Sequence, residues 1–150
     1  MNPLNLPLEG GCRCGQVRFR VTAKPLLTMA CHCNGCQRMT ASAFSLSAAI
    51  PTAGFELLSG EPVVGGLHRP EQRHYHCPHC LSWVFSKADG LEFFVNVRAA
   101  MFDDTSWFAP LVDIYTSEKQ PWVSTSAKHA YPQYPGVEVF KGLMAEYAAL

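Results

Sequence analysis

The stretch Gly10-Gly11-Cys12-Arg13-Cys14-Gly15-Gln16-Val17-Arg18-Phe19-Arg20-Val21 places two thiols one residue apart and then runs into a strict apolar/polar alternation. Val17, Phe19 and Val21 fall at period two, which sets them on one face of a strand with the arginines on the other. Tight thiol groups recur at Cys31-His32-Cys33-Asn34-Gly35-Cys36 and at Cys77-Pro78-His79-Cys80. Seven cysteines cannot all pair, and Met1 to Pro7 holds no basic residue or apolar segment of a secretory leader, so a disulfide framework is a poor reading. Neither Cys36 nor Cys80 is followed by His, which removes c-type haem attachment, and a thioredoxin-like pair would need a βαβ setting. Iron–sulfur ligation stays open on thiol count. Zinc is the default for short cysteine loops where thiols stay reduced.

Seven thiols divide naturally into a closed four-ligand site and an open three-ligand site, the arrangements of structural and catalytic zinc respectively. Cys31, Cys33 and Cys36 lie close enough for one loop to wrap one ion. Cys12, Cys14, Cys77 and Cys80 would then close the other, stapling an N-terminal strand to a distant hairpin. His32, His76 and His79 are alternative ligands; a His inside or beside such a knuckle more often faces solvent or hydrogen-bonds behind the ligands.

The rest of the chain reads as mainly β, a single domain over residues 1–150 with short helices. Strands are expected over Gln16–Val21, Ala43–Ile50, Leu91–Val97 and Leu111–Tyr115. A hairpin enters the third knuckle through Arg73–His76 and leaves it through Trp83–Phe85. Asp89-Gly90 and Ser117–Pro121 mark turns, and eleven Pro with eleven Gly suit many short strands. A short helix is expected over Gly35–Ser42. Phe140, Leu143, Met144 and Tyr147 sit at i, i+3, i+4 and i+7, the stripe of an amphipathic C-terminal helix. The aromatics Trp83, Trp107 and Trp122 are expected in the core, with the alternative that one of them, which the sequence does not pick out, lines the mouth of a pocket.

Composition narrows the partners. Twelve bases balance twelve acids, which argues against a dedicated nucleic-acid binder. Within that balance the first fifty residues are basic, with five cations against Glu9 alone, a hint of an anionic ligand there. No apolar run exceeds four residues, far short of a transmembrane helix. The expected setting is soluble and cytoplasmic.

Taken in order, Gly10-Gly11-Cys12-Arg13-Cys14-Gly15, Val17-Arg18-Phe19, Cys31-His32-Cys33-Asn34-Gly35-Cys36-Gln37-Arg38, Phe55 to Gly60, Cys77-Pro78-His79-Cys80, Asp103-Asp104-Thr105-Ser106-Trp107 and Ser117-Glu118-Lys119-Gln120-Pro121-Trp122 resemble the glutathione-dependent formaldehyde-activating enzyme family, which includes centromere protein V. The resemblance runs over about residues 9–122. It implies a zinc-containing, β-tent-like fold with two Zn²⁺ per chain: a structural zinc on Cys12, Cys14, Cys77 and Cys80, and a second on Cys31, Cys33 and Cys36. It further implies a carbon–sulfur lyase of the S-(hydroxymethyl)glutathione synthase kind, condensing glutathione with formaldehyde. Two positions depart from the family's usual pattern: Ala41 and Leu81 stand where Gly is common, so a Cβ is added at each.

On that reading a zinc held by three thiolates keeps one position for an exogenous thiol, which it would hold as thiolate. Arg38 and His32 are the candidate catalytic residues, Arg38 for a carboxylate of the thiol or the aldehyde oxygen and His32 for a proton. The competing reading makes Arg38 an ordinary surface cation and the protein a non-catalytic zinc module that binds a small thiol or a protein partner. Metal content separates the two-site division from its alternatives.

Overall fold

Val17, Phe19 and Val21 are all fully buried, as their alternation requires. The computed structural model describes residues 2–69 and 71–150; Met1, where the leader reading begins, lies outside the described residues. In chain order these form β1 (Leu8–Gly11), β2 (Arg18–Val21), β3 (Leu27–Cys31), α1 (Asn34–Thr40), β4 (Ser45–Pro51), β5 (Phe55–Ser59), β6 (Val63–Arg69), β7 (Gln72–His76), β8 (Trp83–Ala88), β9 (Phe94–Arg98), β10 (Val112–Ile114), β11 (His129–Ala130) and α2 (Val137–Ala148). The fold is mainly β. The chain forms two compact units, Met1–Pro25 with Ala49–Trp107, and Leu26–Ala48 with Phe108–Leu150.

In the first unit β1, β2 and β5 make a three-stranded antiparallel sheet in that order. Phe19 meets Phe102 edge-on at 5.3 Å and Phe55 at 5.7 Å, and Phe102 meets Trp107 at 5.2 Å. Gly10 has to be glycine: a Cβ there would lie 2.3 Å from the Met101 carbonyl oxygen and 2.5 Å from the Phe19 ring. β6, β7, β8 and β9 follow one another as an antiparallel meander. Its β7–β8 hairpin pairs His76 with Trp83 and so carries the Cys77–Cys80 knuckle at its tip.

The second unit is built on parallel pairing, which the sequence reading did not anticipate. β10 lies between β3 and β11 and runs parallel to both, with Asp113 opposite Ala30 and Ile114 opposite Cys31. Parallel ladders are buried on both faces, so β3 shows an unbroken buried run from Leu27 to Ala30 in place of alternation. Thr28, fully buried, resolves its hydroxyl by donating to the Ala109 carbonyl at 2.7 Å. β11, only two residues long, and the Gly-containing strands β1 and β6 offered little pattern to read.

The expected helices and strands are present with shifted ends. α1 stops at Thr40 because Ala41 turns into the left-handed region (φ 49°) and caps it. β10 stops at Ile114 because Tyr115 does the same (φ 57°). β9 starts at Phe94 because the Thr52 backbone and hydroxyl hold the Phe93 and Glu92 carbonyls in a different alignment. In α2 the apolar stripe delivers Leu143 to the interior. No helix among the described residues is long and apolar enough to cross a membrane.

Candidate metal centres

Each unit carries one cysteine cluster. In the first, Cys12 and Cys14 sit in the tight turn between β1 and β2: Gly15 (φ 80°) donates to the Cys12 carbonyl, and the Val17 N–H points at the Cys12 sulfur at 3.3 Å. Cys77 and Cys80 sit at the β7–β8 tip, where the Leu81 N–H donates back to the Cys77 carbonyl. Ser82 ties the two turns together. Its hydroxyl accepts from the Arg13 N–H at 3.2 Å and lies 3.2 Å from the Cys80 sulfur. The Ser82 hydroxyl and then its backbone N–H pull the Cys80 thiol down to about 5.

All four sulfurs lie within 4.8 Å of one another. Cys12 and Cys14 are 3.5 Å apart, Cys14 and Cys77 3.7 Å. A disulfide needs about 2.05 Å, whereas four sulfurs about 2.3 Å from one tetrahedral centre stand about 3.8 Å apart. The spacing and the soft donors fit a closed metal site.

The second cluster, Cys31, Cys33 and Cys36, is built by β3 and α1. Cys31 ends β3 beside Ile114. Cys33 is the N-cap of α1, its sulfur accepting from the Cys36 N–H at 3.3 Å. The three sulfurs again lie within 4.8 Å of one another, and all are partly buried. S–H contacts from Cys31, then Cys36, pull Cys33 down to about 2, while the contacts with Cys33 and Cys36, together with burial, push Cys31 far up. Three thiolates cannot crowd together without a cation to share, so this donor set also fits a metal ion.

A clamp of side chains from Gln37, Glu118 and Gln120 holds this loop. Glu118 accepts the Asn34 N–H. Gln37 donates to the carbonyls of His32 at 2.6 Å and Glu118 at 2.9 Å, and accepts from Gln120 at 2.8 Å. Their types were visible in Gln37 and in Ser117–Trp122, yet only folding shows that residues 81 and 83 positions apart share hydrogen bonds.

His32 is fully buried, so it neither faces solvent nor reaches it. Its ring packs edge-on to Phe44 at 5.4 Å, and Nε2 stands 3.3 Å from Asp113 Oδ1. Neither ring nitrogen is aligned for a hydrogen bond. Asp113 is steadied by the Thr125 hydroxyl, 2.9 and 2.8 Å from its two oxygens. Among the described residues both clusters consist of cysteines alone, so His32, His76 and His79 lie outside them. His76 stacks on Trp83, and His79 is exposed.

Arg38 is exposed on α1 and has no charged or hydrogen-bonding partner among the described residues. It lines a groove of about 520 Å³ with Gln37, Ala41, Ser42, Gln120 and Trp122. Trp83 and Trp107 are buried as expected, their indole N–H groups satisfied by Ser86 and by the Asp104 carbonyl. Trp122 is not in the core: it is 77% exposed. A second cleft of about 420 Å³ lies around Glu9 and Arg20, whose charges are spent on each other.

The family model described as glutathione-dependent formaldehyde-activating enzyme matches residues 7–118. A protein of Halomonas elongata that carries that name provisionally is 38% identical over 88 residues, 52% of this chain and 55% of its own length. This chain thus spans about half the length of that relative. A crystal structure of a Rhodobacter sphaeroides protein superposes with a TM-score of 0.52 at 18% identity, covering 63% of this chain and 87% of the other, a likeness of fold. The family match covers most of the chain, and the chain belongs to the glutathione-dependent formaldehyde-activating enzyme family.

Proposed function

From that membership, we propose that the protein is a zinc-dependent carbon–sulfur lyase-type enzyme that adds a small, glutathione-like thiol to formaldehyde or a related small aldehyde. The observation that carries the reading is a three-cysteine cluster in one unit set against a complete four-cysteine cluster in the other. Cys12, Cys14, Cys77 and Cys80 would hold a structural zinc, and Cys31, Cys33 and Cys36 a second. When bound in a three-thiolate site, zinc lets an added thiol exist as thiolate at neutral pH.

In the reaction the thiol sulfur bonds to the carbonyl carbon, the carbonyl π bond breaks, and the thiol's proton ends on the oxygen. Nothing is oxidised or reduced. Arg38 is the cation available to receive a carboxylate of the thiol. His32 lies inside, so the part assigned to it is positioning: with Asp113 it braces the turn between Cys31 and Cys33. Cytoplasmic location follows from the reduced thiols this chemistry needs.

The test is magnetisation-exchange NMR on an equilibrium mixture of glutathione, formaldehyde and their adduct. Zinc-loaded protein should speed interconversion above the spontaneous rate, and Cys33→Ser should return it to that rate. A wild-type rate equal to the spontaneous one would refute the enzyme and leave a zinc module that binds thiols or a partner.

A further inference from the structure

We propose that Ser45 is a positioning residue of the three-cysteine cluster, its buried hydroxyl carrying part of the charge of the Cys36 sulfur so that the metal ion stays bound. The proposal rests on the reading above that Cys31, Cys33 and Cys36 hold a metal. Ser45 opens β4 and is 2% exposed, and its hydroxyl hydrogen-bonds the Cys36 sulfur. The corner between α1 and β4 brings it there. Ala41 turns the chain in the left-handed region, and the Thr40 hydroxyl lies 2.8 Å from the Cys36 carbonyl oxygen and 3.3 Å from that of Phe44.

Three thiolates around a divalent ion leave one net negative charge, and a thiol entering as thiolate makes it two. Hydrogen bonds to the sulfurs spread that charge and keep them ionised. The Cys33 sulfur accepts from the Cys36 and Gly35 N–H groups, and the Cys31 sulfur from the Cys33 N–H. Those amides come with the loop whatever its side chains. At Cys36 the donor is a hydroxyl on a different element, so this particular sequence supplies it. The four-cysteine cluster has a counterpart, the Ser82 hydroxyl 3.2 Å from the Cys80 sulfur. Each cluster therefore has its own serine, and the two can be tested against each other.

The probe is cadmium-113, whose NMR shift responds to the donor strength of its sulfur ligands. The full-length wild type, loaded with it, should give one resonance per cluster. Ser45→Ala should move one resonance and Ser82→Ala the other, with circular dichroism unchanged, and Ser45→Thr, which keeps a hydroxyl, should return the first toward its wild-type place. In the zinc-loaded protein, Ser45→Ala should release one equivalent to a mild chelator about tenfold faster than wild type. If Ser45→Ala left both resonances in place, or moved both, the role of Ser45 would be overturned while the metal reading stood. Uptake of cadmium at the four-cysteine cluster alone would overturn both. A shift confined to one resonance, in a protein without exchange activity, would uphold Ser45 and sink only the enzymatic reading.

Discussion

Ala41 and Leu81, the two residues that replace the family's common glycines, both adopt the left-handed conformation, at φ 49° and 59°. A Cβ there costs about 1–2 kcal/mol, partly offset because glycine gains freedom in the unfolded chain. Leu81 is 70% exposed and packs against little, so Leu81→Gly should raise stability by about 0.5–1 kcal/mol in urea melts of the metal-loaded protein. A loss would mean that the leucine side chain matters more than its backbone. Asp103 illustrates charge at the same scale. Hydrogen bonds from Arg18 hold its carboxyl below the ordinary range. A depressed folded pKa means stability that is present above the unfolded value of about 3.9 and lost as pH falls through the lowered one. Because the pair is half exposed, Asp103→Asn should remove no more than about 1 kcal/mol near neutrality. The difference from wild type should shrink below pH 4, read as urea midpoints against pH; a constant difference would put the effect outside the ion pair.

At the scale of elements, α1 is short and buries none of its residues, so packing does not hold it. Its position depends on Cys33 as N-cap and on Gln37, whose amide reaches the backbone on both sides of the cluster. Gln37→Ala strands several partly buried partners, and we expect a loss of about 1–3 kcal/mol. The sharper readout is metal: the variant should release one equivalent to a mild chelator faster than wild type. Equal release rates would show that α1 holds the cluster without the clamp. The helix itself was legible, because Gly35–Ser42 followed a thiol loop. Strand β10 is legible in Leu111–Tyr115, but nothing in that run specifies parallel pairing with β3. Parallel strands bury both faces, and the period that would identify a face is absent.

Over the whole molecule, one cluster belongs to each compact unit, so their losses should be separable. Purified protein should contain two zinc ions per chain by mass spectrometry. Cys77 is fully buried, and Cys77→Ser should drop one ion and abolish cooperative unfolding, since a structural metal site contributes folding free energy directly. Cys33→Ser should drop the other ion and keep the fold. The reverse pattern, or one ion in the wild type, would refute the four-and-three partition.

By itself the sequence determined the donor chemistry and the strand bearing Phe19. Thiol spacing and side-chain period are local properties, readable within a few residues. It also contained the family order of motifs, which the family match over residues 7–118 upholds. Tertiary structure decided everything that joins distant residues: Gln37 to Gln120, His32 to Asp113, Asp113 to Thr125. It also chose the interior for His32 and placed Trp122 outside, the latter against its expected place in the core. The reason is common to all of these. A residue's type fixes what it can bond to, but its burial and its partner depend on which strand lies beside it, and strands this short carry no local record of their neighbours.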